Sequence, residues 1–317
     1  VLDGDAGLEI GSGSVPTVGT VSVGTANCTP AACVAPTDLT VSDISTSGAI
    51  VSWVSDGSQF MIEIQPAGSP QGTEGGYTIG DIDPYPLTSV DLTGYLADNT
   101  AYDIYVINVC DGASSTWSGP VSFTTLPLPI VPDYTNDFSE YPGDLWFEAD
   151  GAYADGPDSS GVSSWIADGF SNDGNTGAAR INIYSTFPQE WLITPEFDLS
   201  GASWYLNVDA SATEYASTAD AVWADDDFVA IMVTTDQGAT WSELYRWDAA
   251  NSVGAAGTTV SLDLAGYSNA QFGFYAESTV SNEDIDFFID NFNIGATALG
   301  VDDIEALQFS LFPNPVN

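Results

Sequence analysis

The 317-residue chain contains no histidine and no lysine, and its only basic side chains are Arg180 and Arg246. Against them stand 45 aspartates and glutamates, giving a formal net charge of −43. These absences exclude whole classes of chemistry. Ser-His-Asp and Cys-His catalysis need imidazole as the base, and Schiff-base or P-loop chemistry needs a lysine amine. Nucleic-acid binding needs cations to displace counterions from phosphates, and two arginines do not supply them. Attraction to an anionic membrane surface fails on the same ground. No apolar run reaches the roughly 18–20 residues of a membrane span, so no membrane insertion is expected. Three cysteines are too few for a disulfide-dense scaffold. No stretch reads as a signal peptide, and Val1 in place of Met reads as a processed or excised chain.

What is present describes a folded protein. Hydrophobic residues are 44%, aromatics 12% and charged residues only 15%, far from the composition of an acidic disordered tail. Gly 31 and Pro 17, abundant Thr, Val and Ser, and few helix-favouring charged runs predict an all-β chain. Its length predicts about two domains. The acidic excess should be most comfortable where salt or bound cations screen it, which predicts a halophilic or Ca²⁺-rich extracellular setting.

Residues 1–32 are rich in Gly, Ser, Thr and Val and read as a leader or linker able to carry one strand. From Cys33 to about Leu126 the texture is one of short alternating runs between turn signals. The stretch 127–133 is Pro-rich, extended and stiff, and marks a domain boundary. A longer β-rich block covers 134–295, and a tail of 296–317 follows.

Within 33–126, Ala49-Ile50-Val51-Ser52-Trp53 alternates as a half-buried strand that places Trp53 in a small core, and Ala101–Val109 is a long late strand. Leu96…Thr100-Ala101-Tyr102 has the spacing of a tyrosine corner, in which the Tyr hydroxyl ties a loop to the backbone. With Trp117-Ser118-Gly119-Pro120 and Phe123-Thr124-Thr125, these residues resemble a fibronectin type III domain. Asp98 stands where that family usually has Pro, which should loosen the corner without changing the fold. The resemblance implies a Cys33–Cys110 disulfide, because similar bacterial domains carry Cys at these two places. Cys28–Cys33 is the alternative, a small local loop.

In the second block, Trp191-Leu192-Ile193-Thr194-Pro195, then Thr235-Asp236-Gln237-Gly238-Ala239-Thr240-Trp241, then Phe287-Phe288-Ile289-Asp290-Asn291 occur in that order. The series resembles MAM-like jelly rolls of the cleaved-adhesin type, which Bacteroidetes attach to secreted adhesins and proteases. The fold class expected is therefore a fibronectin type III sandwich followed by a larger jelly-roll sandwich. The resemblance also implies structural Ca²⁺ held by Asp137, just before the first strand, and Asp290, at the end of the last. Ser139 stands where such sequences commonly have Glu, so one ligand is missing from the pattern. The acidic stretches Asp225-Asp226-Asp227, Asn172-Asp173-Gly174-Asn175 and Glu283–Asp286 lack EF-hand spacing and read as turns or edge protection. Trp165, amid Ser and Gly, and Trp223, amid Ala and Asp, are the aromatics best placed on loops to contact a ligand.

Carboxylate catalysis of the glycosidase kind needs a matched pair across a cleft, and nothing in the sequence singles one out. Both modules resembled are non-catalytic attachments, so no enzyme activity is expected. Phe309-Ser310-Leu311-Phe312-Pro313-Asn314-Pro315-Val316-Asn317 resembles the opening of the C-terminal sorting domain of the type IX secretion system. These readings predict an extracellular or cell-surface adhesion or interaction protein, Ca²⁺-stabilised and exported by the type IX machinery. Its partner would be a surface glycan or protein, or copies of itself. The alternatives are a structural subunit of an extracellular filament or surface array, with 1–32 adding a strand to a neighbour, and the accessory region of a larger secreted hydrolase.

Overall fold

A computed structural model describes residues 33–73, 76–79, 88–111, 113–158, 163–185, 189–280 and 283–299. Cys28, the leader 1–32 and the tail Phe309–Asn317 lie outside the described residues. The chain divides into two compact units between Leu126 and Pro127. Apart from one short 3-10 turn at Phe170–Asn172, the regular structure described is β-strand.

The first unit contains β1 (Thr37–Ser42), β2 (Ile50–Val54), β3 (Phe60–Pro66), β4 (Tyr77–Ile79), β5 (Ser89–Asp91), β6 (Ala101–Cys110), β7 (Ala113–Ser114) and β8 (Ser118–Thr124). One sheet runs β1-β2-β5 and the other β4-β3-β6-β7, with β8 also pairing β6. This division of strands between two antiparallel sheets is the fibronectin type III arrangement. Period-two alternation builds it: in β2, Val51 and Trp53 are buried while Ile50 and Ser52 are not. Trp53 meets Phe60 of the opposite sheet edge-on, with ring centroids 5.1 Å apart. The corner forms despite Asp98, and the Ala97 N–H donates to the Tyr102 hydroxyl oxygen at 2.9 Å. Cys33 and Cys110 are disulfide-bonded, with Cα atoms 5.9 Å apart.

The second unit contains β9 (Tyr134–Asn136), β10 (Phe147–Asp150), β11 (Ile166–Asp168), β12 (Ala178–Ile183), β13 (Gln189–Asp198), β14 (Tyr205–Glu214), β15 (Phe228–Thr234), β16 (Ser242–Trp247), β17 (Thr258–Asp263), β18 (Asn269–Glu277) and β19 (Ile285–Gly295). They form two sheets, β10-β13-β18-β15-β16 and β11-β12-β19-β14-β17, with β9 added to β19. The inward faces make one core, in which Phe138, Trp146, Phe197, Phe272, Phe274, Phe287 and Phe292 are buried together. A smaller cluster, with Trp191, Met232 and Tyr275 buried and Tyr153 packed against it, occupies the outer face of the first sheet. The Pro-rich stretch is not wholly a free spacer. Ile130 bridges to Phe197, donating its N–H to Glu196 O and accepting from Asp198 N.

The feature that shapes the site is a bulge in β19. Asn207 pairs with Asn293 and Asp209 with Asp290, so two steps of β14 face three of β19. Asn291 absorbs the extra residue at φ 48°, a left-handed conformation that Asn tolerates better than most residues. Immediately beyond it, Phe292 pairs with Asn136 of β9.

Candidate functional site

On β14 the residues 206, 208, 210 and 212 face the core. Alternation therefore turns Asn207, Asp209, Ser211 and Thr213 to the opposite face of the sheet. The bulge on β19 brings Asp290 and Asn291 to that face beside Asp209. The register of β9 adds Asn136 and, one residue on, Asp137. Asn136, Asp137, Asp209, Thr259 of β17, Asn291 and Asn293 line a groove of about 750 Å³, and Asp290 adjoins it through its pairing with Asp209.

Its side chains are tied in place. Asp209 accepts a hydrogen bond from the Thr259 hydroxyl on one carboxylate oxygen and from the Asn291 carboxamide on the other, the latter at 2.9 Å. Asn207, fully buried, donates to Asn293 Oδ1 at 3.0 Å and to Thr297 O at 3.1 Å. Its oxygen accepts from the Ser261 hydroxyl and from Leu299 N. Asn293 in turn donates to Tyr134 O at 3.0 Å. Asn136 donates to Pro142 O at 2.8 Å and accepts from Phe138 N at 2.9 Å.

The electrostatics set Asp290 apart. Its carboxyl is pushed up to about 6, first by burial and then by the like charges of Asp209 and Asp137, with the Asn291 N–H opposing the shift. Asp137 is held below the usual carboxylate range by the Ser139 hydroxyl and N–H, at 2.7 and 3.1 Å. Asp137 and Asp290 are thus brought near enough for their charges to interact, and Asp209 joins them. Among the described residues no three or more acidic, cysteine or histidine side chains make a metal cluster by themselves. The donor chemistry nevertheless fits a hard cation. An anion made costly by burial and by two like charges gains most from a bound cation, and amide oxygens stand beside it. Asp137 and Asp290 would hold that cation, with neighbouring amide or carbonyl oxygens and water completing its shell.

Asp209 and the four asparagines escaped the sequence reading. Their signal was the period-two polar stripe Asn207-x-Asp209-x-Ser211-x-Thr213, but its partner in β19 depends on a register that no local pattern reveals. The tryptophan expectations need correcting. Trp165 is only 1% exposed and belongs to the main core, because Ser164 donates its N–H and hydroxyl to the buried Glu190 and draws the segment inward. Trp223 is half-buried against the same core, donating its indole N–H to Val253 O at 3.2 Å and meeting Phe287 edge-on. Trp165 therefore offers no free indole face to a ligand, and Trp223 spends its N–H and part of its surface on the core.

Two side chains of the acidic stretches anchor neighbouring loops. Asp226 accepts from Thr279 N and Val280 N, and Asn172 donates to the Thr213 hydroxyl and Ser217 O. Glu148 and Glu190 on neighbouring strands β10 and β13 are both raised, chiefly by burial. Each already accepts a hydroxyl hydrogen bond, Glu148 from Tyr141 and Glu190 from Ser164.

No family model matches the chain, and no curated protein sequence matches it. Solved structures resemble parts of it. The FN5 domain of Drosophila Lar is 20% identical, over 29% of this chain and 96% of that one, with a TM-score of 0.25. The K1 cleaved adhesin domain of Lys-gingipain from Porphyromonas gingivalis W83 is 14% identical, over 52% and 99%, with a TM-score of 0.35. The carbohydrate-binding module TmCBM61, solved with β-1,4-galactotriose, is 13% identical, over 51% and 99%, with a TM-score of 0.32. At these scores the likenesses carry no functional argument.

Proposed function

We propose that the chain is a non-catalytic extracellular interaction module, adhesive in character, whose second unit is stabilised by Ca²⁺ at Asp137 and Asp290. The observation that supports this most is the groove on the β14–β19 face: a polar recess lined by Asp137 and Asp209, with Asp290 beside Asp209 at its edge and disfavoured as an anion by burial and by both neighbours. Bound Ca²⁺ would neutralise that charge and stiffen the groove wall beside β9. Export by the type IX route belongs to the same proposal and is supported by the sequence of Phe309–Asn317 alone. The absence of histidine and lysine supports the non-catalytic part, together with the structural commitments of the raised glutamates.

Adhesion is tested with beads carrying the full chain, settled on a mucin-coated surface in Ca²⁺ and washed. Retention well above that of albumin-coated beads is expected, with a loss on adding EDTA. Retention equal to albumin in Ca²⁺ overturns the adhesive reading.

A further inference from the structure

We propose that the groove on the β14–β19 face binds a neutral oligosaccharide, read by the carboxamides of Asn136, Asn291 and Asn293 around the Asp209 carboxylate. This rests on the reading of the chain as an interaction module and adds the ligand class and the residues that recognise it.

The first argument is pre-organisation. Each of these side chains is fixed by a partner within the protein: Asn136 by Pro142 O, Asn293 by Tyr134 O, Asn291 by Asp209, and Asp209 also by Thr259. A ligand therefore meets groups whose rotamers are already set, and little side-chain entropy remains to be lost on binding.

The second argument is hydrogen-bond capacity. A carboxamide nitrogen carries two N–H groups, and each of these three asparagines spends one on the protein. One N–H from each remains. A carboxylate has about four lone-pair sites, of which Asp209 uses two. Spare amide donors and carboxylate acceptors thus share one recess. That pattern suits vicinal hydroxyls, each of which donates to one group and accepts from another.

The third argument is charge and shape. Asp133 and Asp209 line the groove outside the Asp137–Asp290 cation pair, and their charges disfavour phosphate, sulfate and uronate ligands. The volume of about 750 Å³ lies within the range of small-ligand sites. Leu299 on the groove wall is 46% exposed and offers an apolar surface to the C–H face of a sugar ring. A cationic peptide would also meet the acids, and the trilysine arm of the test separates it from a neutral sugar.

The test is calorimetric titration of the full chain in Ca²⁺ with maltotriose, cellotriose and galactotriose, with trigalacturonate and trilysine as charged counterparts. At least one neutral trisaccharide should bind at millimolar or lower concentration, and trigalacturonate should not. Asn291→Gly keeps the left-handed backbone and removes the carboxamide, and Asp209→Ala removes the central acceptor. Each should weaken binding by about tenfold, the worth of one or two hydrogen bonds. An unchanged Tm for Asn291→Gly shows that any loss comes from recognition. Binding of trilysine alone, no binding of any neutral trisaccharide, or neutral binding untouched by both variants each overturns the proposal. If no trisaccharide binds while chain-coated beads are still retained on mucin, the groove assignment fails and the interaction module stands. If retention also fails, the parent reading falls with it.

Discussion

Arg180 shows how much can rest on one of only two cations. It pairs with Asp168 at 2.7 Å and with Asp286 at 2.5 Å, and Asp286 is 1% exposed. Asp286 also accepts from Ala216 N and from Asn182. Replacing Arg180 with Met leaves that buried carboxylate without its counter-charge, and such a loss typically costs about 3–5 kcal/mol. Chemical denaturation should show this drop, and adding Asp286→Asn should recover part of it. Asp236 illustrates the opposite environment. In the β15–β16 hairpin it accepts from the Thr240 hydroxyl and N–H and from the Thr234 hydroxyl, which hold its carboxyl down to about 2. A folded-state value below the unfolded 3.8 means that the stabilisation is present above about pH 4 and is lost as pH falls towards 2. The stability gap between the wild type and Asp236→Asn, measured by urea unfolding across pH, should therefore be widest at pH 5–7 and close by about pH 2. A gap independent of pH would mean that the anion does not hold the turn.

At the scale of elements, the Cys33–Cys110 bond spans 77 residues and so encloses most of the described strands of the first unit. A loop of that length constrains the unfolded chain by about 4 kcal/mol. Replacing both cysteines with Ser should lower the unfolding free energy of this unit by roughly that amount, as read by denaturation under oxidising conditions. Strands were readable wherever a pattern is local. The alternation around Val51 and Trp53 places one face inward in any register, and Tyr102 lies five residues from the amide it binds, so both could be read from the chain itself. The fixed turn at Thr234–Thr240 is of the same kind. The groove was only half legible, because Asp209 and Asp290 are 81 residues apart and meet through a bulge at Asn291. Burial of Trp165 was hidden too, since its neighbours are small and polar and only the long-range bond from Ser164 to Glu190 turns it inward.

For the whole molecule, the charge of −43 is a repulsive load on the folded state. Monovalent salt should raise the melting temperature by screening alone, so a specific cation effect has to be sought at fixed ionic strength. Asp290 gives the sign of that effect. Its folded-state carboxyl titrates near 6 instead of 3.8, so above that range the folded protein carries a charge that burial and its neighbours oppose. Asp290→Asn removes the charge and should be at least as stable as the wild type in EDTA, while losing the response to Ca²⁺. The most direct measurement is thermal unfolding of the wild type and Asp290→Asn in EDTA and in Ca²⁺, at one ionic strength and at neutral pH. The account predicts that Ca²⁺ raises the melting temperature of the wild type by several degrees and leaves Asp290→Asn unmoved. A wild-type melting temperature that is the same in EDTA and in Ca²⁺ would contradict it.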